Sequence, residues 1–186
     1  MQCYPEERVR LPEIQHGGFL GRTRRYDWLK KRDERTIVKT LPHNYVVTGV
    51  GAPDGDPDIF GDRLPVLRTA LPAEFGGAGD QWSPETLLVA AVADCFMLTF
   101  RGVARAERLR WILLQCEVVG RLDRVERLLQ FTDFCIRARL DLPPGTDESL
   151  ARRVLERAES TCLITNSLKA SCRLEATIDV ADLQAV

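Results

Sequence analysis

WSPETLLVAAVADCFMLTFRGV, residues 82–103, is the stretch on which the fold turns. Ser83 is a good helix N-cap, Pro84 suits the first helical position because its missing N–H costs nothing there, and Glu85 places a carboxylate at the positive end of the helix dipole. From residue 87 to residue 100 only Asp94, Cys95 and Thr99 interrupt the apolar side chains. A helix that is apolar on every side belongs to a core or a membrane. This run is shorter than the ~18–20 residues of a span and contains Asp94, so it is predicted to be a buried central helix. Cys95 sits within it among apolar neighbours, where a cysteine most often serves as a small core side chain.

Working outward, residues 76–81 (GGAGDQ) form a loop leading into this helix. Upstream, residues 36–50 read as a strand broken at Leu41-Pro42, residues 52–58 as a turn, and residues 63–70 as a short strand that Pro65 marks as an edge. Downstream, residues 111–123 read as a strand with Cys116, Val118 and Leu122 on one face. Residues 131–142 form another, with Phe134, Ile136, Ala138, Leu140 and Leu142 inward and Cys135 on the outward parity. The short charged link at 123–127 makes the two a hairpin. Pro143-Pro144-Gly145 ends the second strand, and Asp147 caps an amphipathic helix to Ser160 with Leu150, Val154, Leu155 and Ala158 inward. Thr161-Cys162 breaks that helix, and a short helical turn follows at residues 165–170. Residues 172–180 alternate apolar and polar as a last strand. This order gives an α+β domain.

The chain has 186 residues, 45% of them hydrophobic and 28% charged, with a formal net charge of −1. These values fit one soluble domain and give no global field for nucleic acid or membrane. The first forty residues carry ten Lys or Arg against six Asp or Glu. Residues 1–42 are therefore read as a basic N-terminal extension able to lie on an acidic surface, and residues 43–186 as the domain. The N-terminus lacks the apolar stretch of a secretory signal, so a cytoplasmic location is expected. The six cysteines stand at 3, 95, 116, 135, 162 and 172, the two histidines at 16 and 43. No pair has zinc-ligand spacing, and in a reducing compartment most of these thiols are expected to be free.

Cys162 has a more suggestive setting than Cys95. It falls between two helical segments, where exposed N–H groups favour a thiolate. A buried helix cysteine together with a second cysteine in a turn is what a two-cysteine peroxidase needs. The first thiolate is oxidised to a sulfenic acid, and the second condenses with it to a disulfide before over-oxidation.

The segments FGGAGDQWSPETLLVAAVADCFMLTF (75–100) and CLITNSLKA (162–170) resemble the two cysteine motifs of the OsmC/Ohr family, the osmotically inducible and organic-hydroperoxide-resistance proteins. The resemblance covers roughly residues 43–180. It implies an OsmC-like fold, antiparallel sheets wrapped around buried central helices in an intertwined homodimer with its sites at the subunit interface. It also implies that Cys95 is the peroxidatic cysteine, Cys162 the resolving cysteine and Glu85 the carboxylate of the site. The implied activity is reduction of organic hydroperoxides to alcohols. A dihydrolipoyl dithiol, free or on a lipoylated protein, is the implied reductant, with no bound metal or organic cofactor.

The chain departs from that pattern at the arginine that holds the reactive thiolate. The two family positions fall here at Pro53 and in Ala73-Glu74-Phe75, neither of them basic. Asp94 adjoins Cys95, and Cys162-Leu163 stands where the family often has Cys-Pro. Lowering a thiol from ~8.5 to about 7 takes roughly 2 kcal/mol. A guanidinium at ~4 Å supplies roughly 4 kcal/mol at an effective dielectric of 20. A substitute cation is therefore expected, with Arg68 the first choice ahead of Arg63 and of Arg22, Arg24 and Arg25 in the basic arm. Glu85 lies ten residues before Cys95, roughly 15 Å along one helix, so it has to act through a bridging group or from the partner subunit. Two other readings are a binding or redox-sensing module that keeps the cysteines without turnover, and a cysteine hydrolase. The hydrolase needs a general base, and His16 and His43 both lie in the first quarter of the chain.

Overall fold

A computed structural model describes residues 40–181. The chain divides at Val46/Val47, and the second unit holds every element described below. Helix α1 spans Pro84–Ala106. Its start is fixed by a reciprocal cap. The Ser83 hydroxyl accepts from the Thr86 N–H at 3.2 Å, and the Thr86 hydroxyl accepts from the Ser83 N–H at 2.8 Å. Val92, Phe96, Phe100 and Ala104, each four residues from the next, form its fully buried stripe. Phe100 also meets Trp111 edge-on at 5.3 Å.

That stripe rests on a three-stranded sheet in the order β4-β5-β6 (Leu113–Val125, Leu128–Leu142 and Ser171–Val180). The hairpin β4–β5 is antiparallel, as expected. β6 joins β5 in parallel, reached through helix α2 (Glu148–Ser160), so the sheet is mixed rather than antiparallel throughout. Its inner face carries Phe134, Ile136, Ala138, Leu140 and Leu142, all buried, against which α2 sets Ala151, Val154, Leu155 and Ala158. The Asp147 carboxylate caps α2 by accepting from the N–H groups of Ser149 and Leu150. A register shift leaves Thr132 as an extra residue in β5. This bulge brings Phe131 and Phe134 onto the same face, where they stack at 5.2 Å. Gly120 lies beneath both rings and beside Val89, which leaves no room for a side chain. Cys135, on the outward parity, is buried and is not a free thiol.

A second, smaller sheet precedes α1 in the order β1-β2-β3 (Val47–Val50, Asp58–Gly61 and Leu67–Arg68). The strand expected at residues 36–50 is confined, among the described residues, to Val47–Val50, and β2 was not expected at all. β3 is shorter than its forecast but lies at the sheet edge, as Pro65 indicated. The glycine-rich loop then packs closely: a Cβ at Gly77 would collide with the Leu71 carbonyl.

At 23 residues, α1 is longer than its apolar run, and by length and composition it could cross a membrane. Here one side of it instead packs on the sheet. Met97 at 36% and Leu98 at 53% exposure lie on a side that no described residue covers.

Candidate active site: two thiols and a backbone turn

α1 and the link from α2 to β6 meet at Cys95. Cys95 is half-buried and lies beside the buried stripe. Its helix neighbour one turn on, Thr99, has its hydroxyl 4.0 Å from the sulfur. Asp94 is exposed and points away, since adjacent helix residues do not face each other.

The link is tightly ordered. Thr161 ends α2, its N–H and hydroxyl both bonded to the Arg157 carbonyl. The Cys162 N–H donates to Glu159 at 3.1 Å, and the Cys162 carbonyl accepts from the Asn166 N–H and the Thr165 hydroxyl, each at 3.1 Å. The Ser167 hydroxyl donates to the Leu163 carbonyl at 2.8 Å. These bonds leave the Ile164 N–H facing Cys95. The Ile164 N–H donates to its sulfur at 3.5 Å across 69 residues of sequence. The Leu163 N–H and the Cys162 thiol add a weaker electrostatic pull on the same sulfur.

The two sulfurs respond in opposite directions. Burial alone would push the Cys95 thiol up, but donation by Ile164, Cys162, Thr99 and Leu163 outweighs it and holds the group below the ordinary thiol value. Cys162 is fully buried, and burial pushes its thiol up. The Thr165 N–H and hydroxyl partly offset this, while its own donation to Cys95 and the charge there add to the rise. The sequence reading expected the turn amides to favour a thiolate at Cys162. In the structure the Ile164 N–H bonds to Cys95 instead, and burial outweighs the Thr165 donors at Cys162. Burial likewise pushes Cys116 up to about 12 and Cys172 up to about 11, which fits their reading as core side chains.

The other two site candidates lie elsewhere. Arg68 is committed to Asp58, with paired bonds at 3.0 and 3.3 Å, and does not reach Cys95. Among the described residues no Lys or Arg bonds to that sulfur, so the expected cation is not provided by Arg68 within the chain. Arg63 pairs with Asp62, and Arg22, Arg24 and Arg25 lie outside the described residues. Glu85 sits in the first turn of α1, the helix that carries Cys95 in its middle, so the two are not brought together. Its Oε2 is buried without a hydrogen-bond partner among the described residues. Thr99, Thr165 and the two backbone amides belong to no motif that marks them as site residues. Only Thr99, at i+4 from Cys95, had a side-chain signal that could have found it.

Comparison with known proteins bears on the same region. Residues 77–177 match the OsmC-like protein family. The uncharacterized protein YmaD of Bacillus subtilis is 24% identical over 113 residues, 59% of this chain and 75% of that protein. An OsmC-like protein of unknown function from Vibrio cholerae superposes with a TM-score of 0.67 at 16% identity, covering 73% of this chain and all (100%) of that one. An organic hydroperoxide resistance protein from Legionella pneumophila gives 0.60 at 21% identity, over 76% of this chain and 100% of that one. Another from Elizabethkingia anophelis, with thiocyanate bound, gives 0.62 at 17%, over 77% and 100%. These likenesses establish the fold, and the match spans Cys95, Cys162 and the strands between them: the chain belongs to the OsmC-like protein family.

Proposed function

We propose that this chain is a thiol-dependent peroxidase that reduces organic hydroperoxides to alcohols through a Cys95 sulfenic acid and a Cys95–Cys162 disulfide. The observation that carries the reading is the bond from the Ile164 N–H to the Cys95 sulfur at 3.5 Å, which brings the turn holding Cys162 onto Cys95, two thiols of opposite character. Cys95 is half-exposed and held toward the thiolate, while Cys162 is buried and held protonated against it. Membership of a family that includes cysteine peroxidases supports a redox role related to peroxide resistance, as do neighbours known as organic hydroperoxide resistance proteins.

In the proposed cycle the Cys95 thiolate attacks one peroxide oxygen and the O–O bond breaks. The sulfur is oxidised to a sulfenic acid, and the departing alkoxide takes up a proton to leave as the alcohol. Cys162 then loses its proton and attacks the Cys95 sulfur. The S–S bond forms and the hydroxyl leaves as water. A dithiol of the dihydrolipoyl type, free or on a lipoylated protein, reduces this disulfide and is itself oxidised to a cyclic disulfide. No step calls for a bound metal or organic cofactor.

The proposed working unit is a homodimer. The uncovered side of α1 and the exposed Val47, Leu64 and Leu71 around the small sheet are apolar surfaces that a second copy could cover. The buried, unpartnered Glu85 oxygen is a group that a donor from that copy could satisfy; leaving it bare costs about 1–3 kcal/mol.

A redox-sensing module without turnover is favoured by one observation, the absence among the described residues of a cation bonded to Cys95. Peroxide consumption with dihydrolipoamide, comparing tert-butyl hydroperoxide, cumene hydroperoxide and hydrogen peroxide, separates the two. Sustained consumption of the bulky peroxides is the expected result. Oxidation that stops after one equivalent per chain would replace the peroxidase with the sensor.

A further inference from the structure

We propose that the turn at residues 161–165 is itself the thiolate-holding device of this site, the backbone N–H groups of Leu163 and Ile164 acting on Cys95 in place of a cationic side chain. The inference rests on the peroxidatic role proposed for Cys95. Its geometric basis is the 3.5 Å bond from the Ile164 N–H to the sulfur; the neighbouring Leu163 N–H favours the thiolate in the same direction. Among the described residues, neither N–H is spent on a backbone carbonyl. The Thr165 N–H, the third in succession, favours the charged form of the Cys162 sulfur in the same way. Successive backbone N–H groups in such a turn make a concavity for negative charge. The bonds at Cys162, Leu163 and Asn166 fix the turn before any charge develops, so the donors do not have to reorganise when Cys95 ionises.

The Leu163 donor is notable for its position. A proline there, the residue that the resembling motif often carries after its cysteine, would have no N–H to give. The chain thus has no basic residue at the two arginine positions the resemblance implies and keeps a backbone N–H after Cys162. The Leu163 side chain is 69% exposed, so packing does not account for the residue. Hydrogen bonds to a charged acceptor are the strong ones, and each is worth roughly a tenfold change in an ionisation equilibrium.

The test reads the thiol and not the turnover. The pH dependence of Cys95 alkylation by iodoacetamide is followed by peptide mass in the reduced full-length protein. Leu163→Pro removes one donor, Leu163→Ala keeps it, and replacing the Ile164 amide by an ester, through the α-hydroxy analogue of isoleucine, removes the other with little change of shape. The Pro and ester variants are each expected to move the alkylation midpoint upward and to slow the reaction about tenfold at pH 7, with the difference closing at high pH. Leu163→Ala is expected to match the parent. A wild-type midpoint in the ester variant, or in a Pro variant shown to be folded by circular dichroism, overturns the proposal. So does an Ala variant that shifts as far as the Pro variant. If the Pro variant does not fold, the ester decides alone. A parent protein with the low midpoint but no peroxide turnover would sink the peroxidase and leave the amide device standing. Normal turnover with unmoved midpoints would do the reverse.

Discussion

The middle of α1 and the turn after α2 each bring a cysteine to the same place, and each lacks what the other has. In α1 every mid-helix N–H is spent on the carbonyl four residues back, so the helix can present a sulfur but has no backbone donor to steady its charge. The turn has donors to spare, yet its own cysteine is fully buried and is pushed toward the neutral thiol. On the proposed peroxidase reading, reactivity would be shared between elements, α1 supplying the nucleophile and the turn the polarity. The same difference would divide the roles, because the half-exposed sulfur is pushed toward the thiolate and the buried one toward the thiol.

The sharpest way to break this comparison is to remove each cysteine in turn. Cys95→Ser is expected to bring peroxide consumption to background, with no sulfenic acid trapped by dimedone. Cys162→Ser is expected to reduce about one equivalent of peroxide per chain and then stall, with Cys95 accumulating as sulfenic and then sulfinic acid. Intact-mass measurement after stoichiometric peroxide checks both. If the two substitutions stall at the same stage, the division of roles fails. Non-reducing peptide maps of the parent should show the Cys95–Cys162 link within one chain, and a Cys116–Cys172 link in its place would remove the assignment.

Much of the scaffold behind this contrast was legible in the chain. The Ser83-Pro84 start of α1, the five inward residues of β5 and the Asp147-capped stripe of α2 are written in side-chain periodicity and cap chemistry, and the structure follows them. Other features leave no such mark. A bulge at Thr132 inserts a residue without changing composition, so Phe131 reaches the core face against the simple alternation. The parallel direction of β6 does not alter its alternating pattern. β2 is four residues, DIFG, emerging from a stretch that reads as turn. The same limit applies at the site. The cysteines could be named because they are side chains within recognisable motifs. The amides at Leu163 and Ile164 could not, since backbone donors have no residue identity. The expectation for Cys162 failed because burial, which the sequence did not reveal at that position, outweighs nearby dipoles.

A second prediction extends the comparison to all four described free thiols. At pH 8 in the reduced protein, alkylation is expected at Cys95 first, with Cys162 slower and Cys116 and Cys172 untouched on that timescale. Cys116 and Cys172 also have a stability consequence. Their folded values, about 12 and about 11, lie above the ordinary thiol value of ~8.5. Above that ordinary value the unfolded chain releases protons that the folded chain still binds. Their contribution is therefore complete below about pH 8.5 and declines as the pH rises toward 11–12. Thermal melts between pH 8 and pH 11 should show Tm falling for the parent, and falling less for Cys116→Ala after its own packing loss is subtracted. A parent Tm that is flat over that range would contradict the burial of these thiols.

The smallest expected effect concerns Arg68, the residue that the sequence reading favoured as the missing cation. Its guanidinium makes paired bonds to Asp58 between the short strands β2 and β3, and it is 62% exposed. The bond to Arg68 holds the Asp58 carboxyl below its usual range. Whatever stability the pair contributes is present above about pH 4 and is lost as the pH falls through the lowered Asp58 value. Pairs this exposed are strongly screened, so Arg68→Ala should barely move Tm at neutral pH, and added salt should erase the difference. If the backbone turn holds the thiolate, the same substitution leaves the Cys95 alkylation midpoint and the peroxide rate at pH 7 unchanged. An arginine reaching the sulfur from a second copy would behave otherwise. Arg68→Ala would then raise the midpoint by a unit or more, and Arg68→Lys would recover part of the rate by keeping the charge without the planar fork. That outcome would return the site to a guanidinium and reduce the amides at Leu163 and Ile164 to a supporting role.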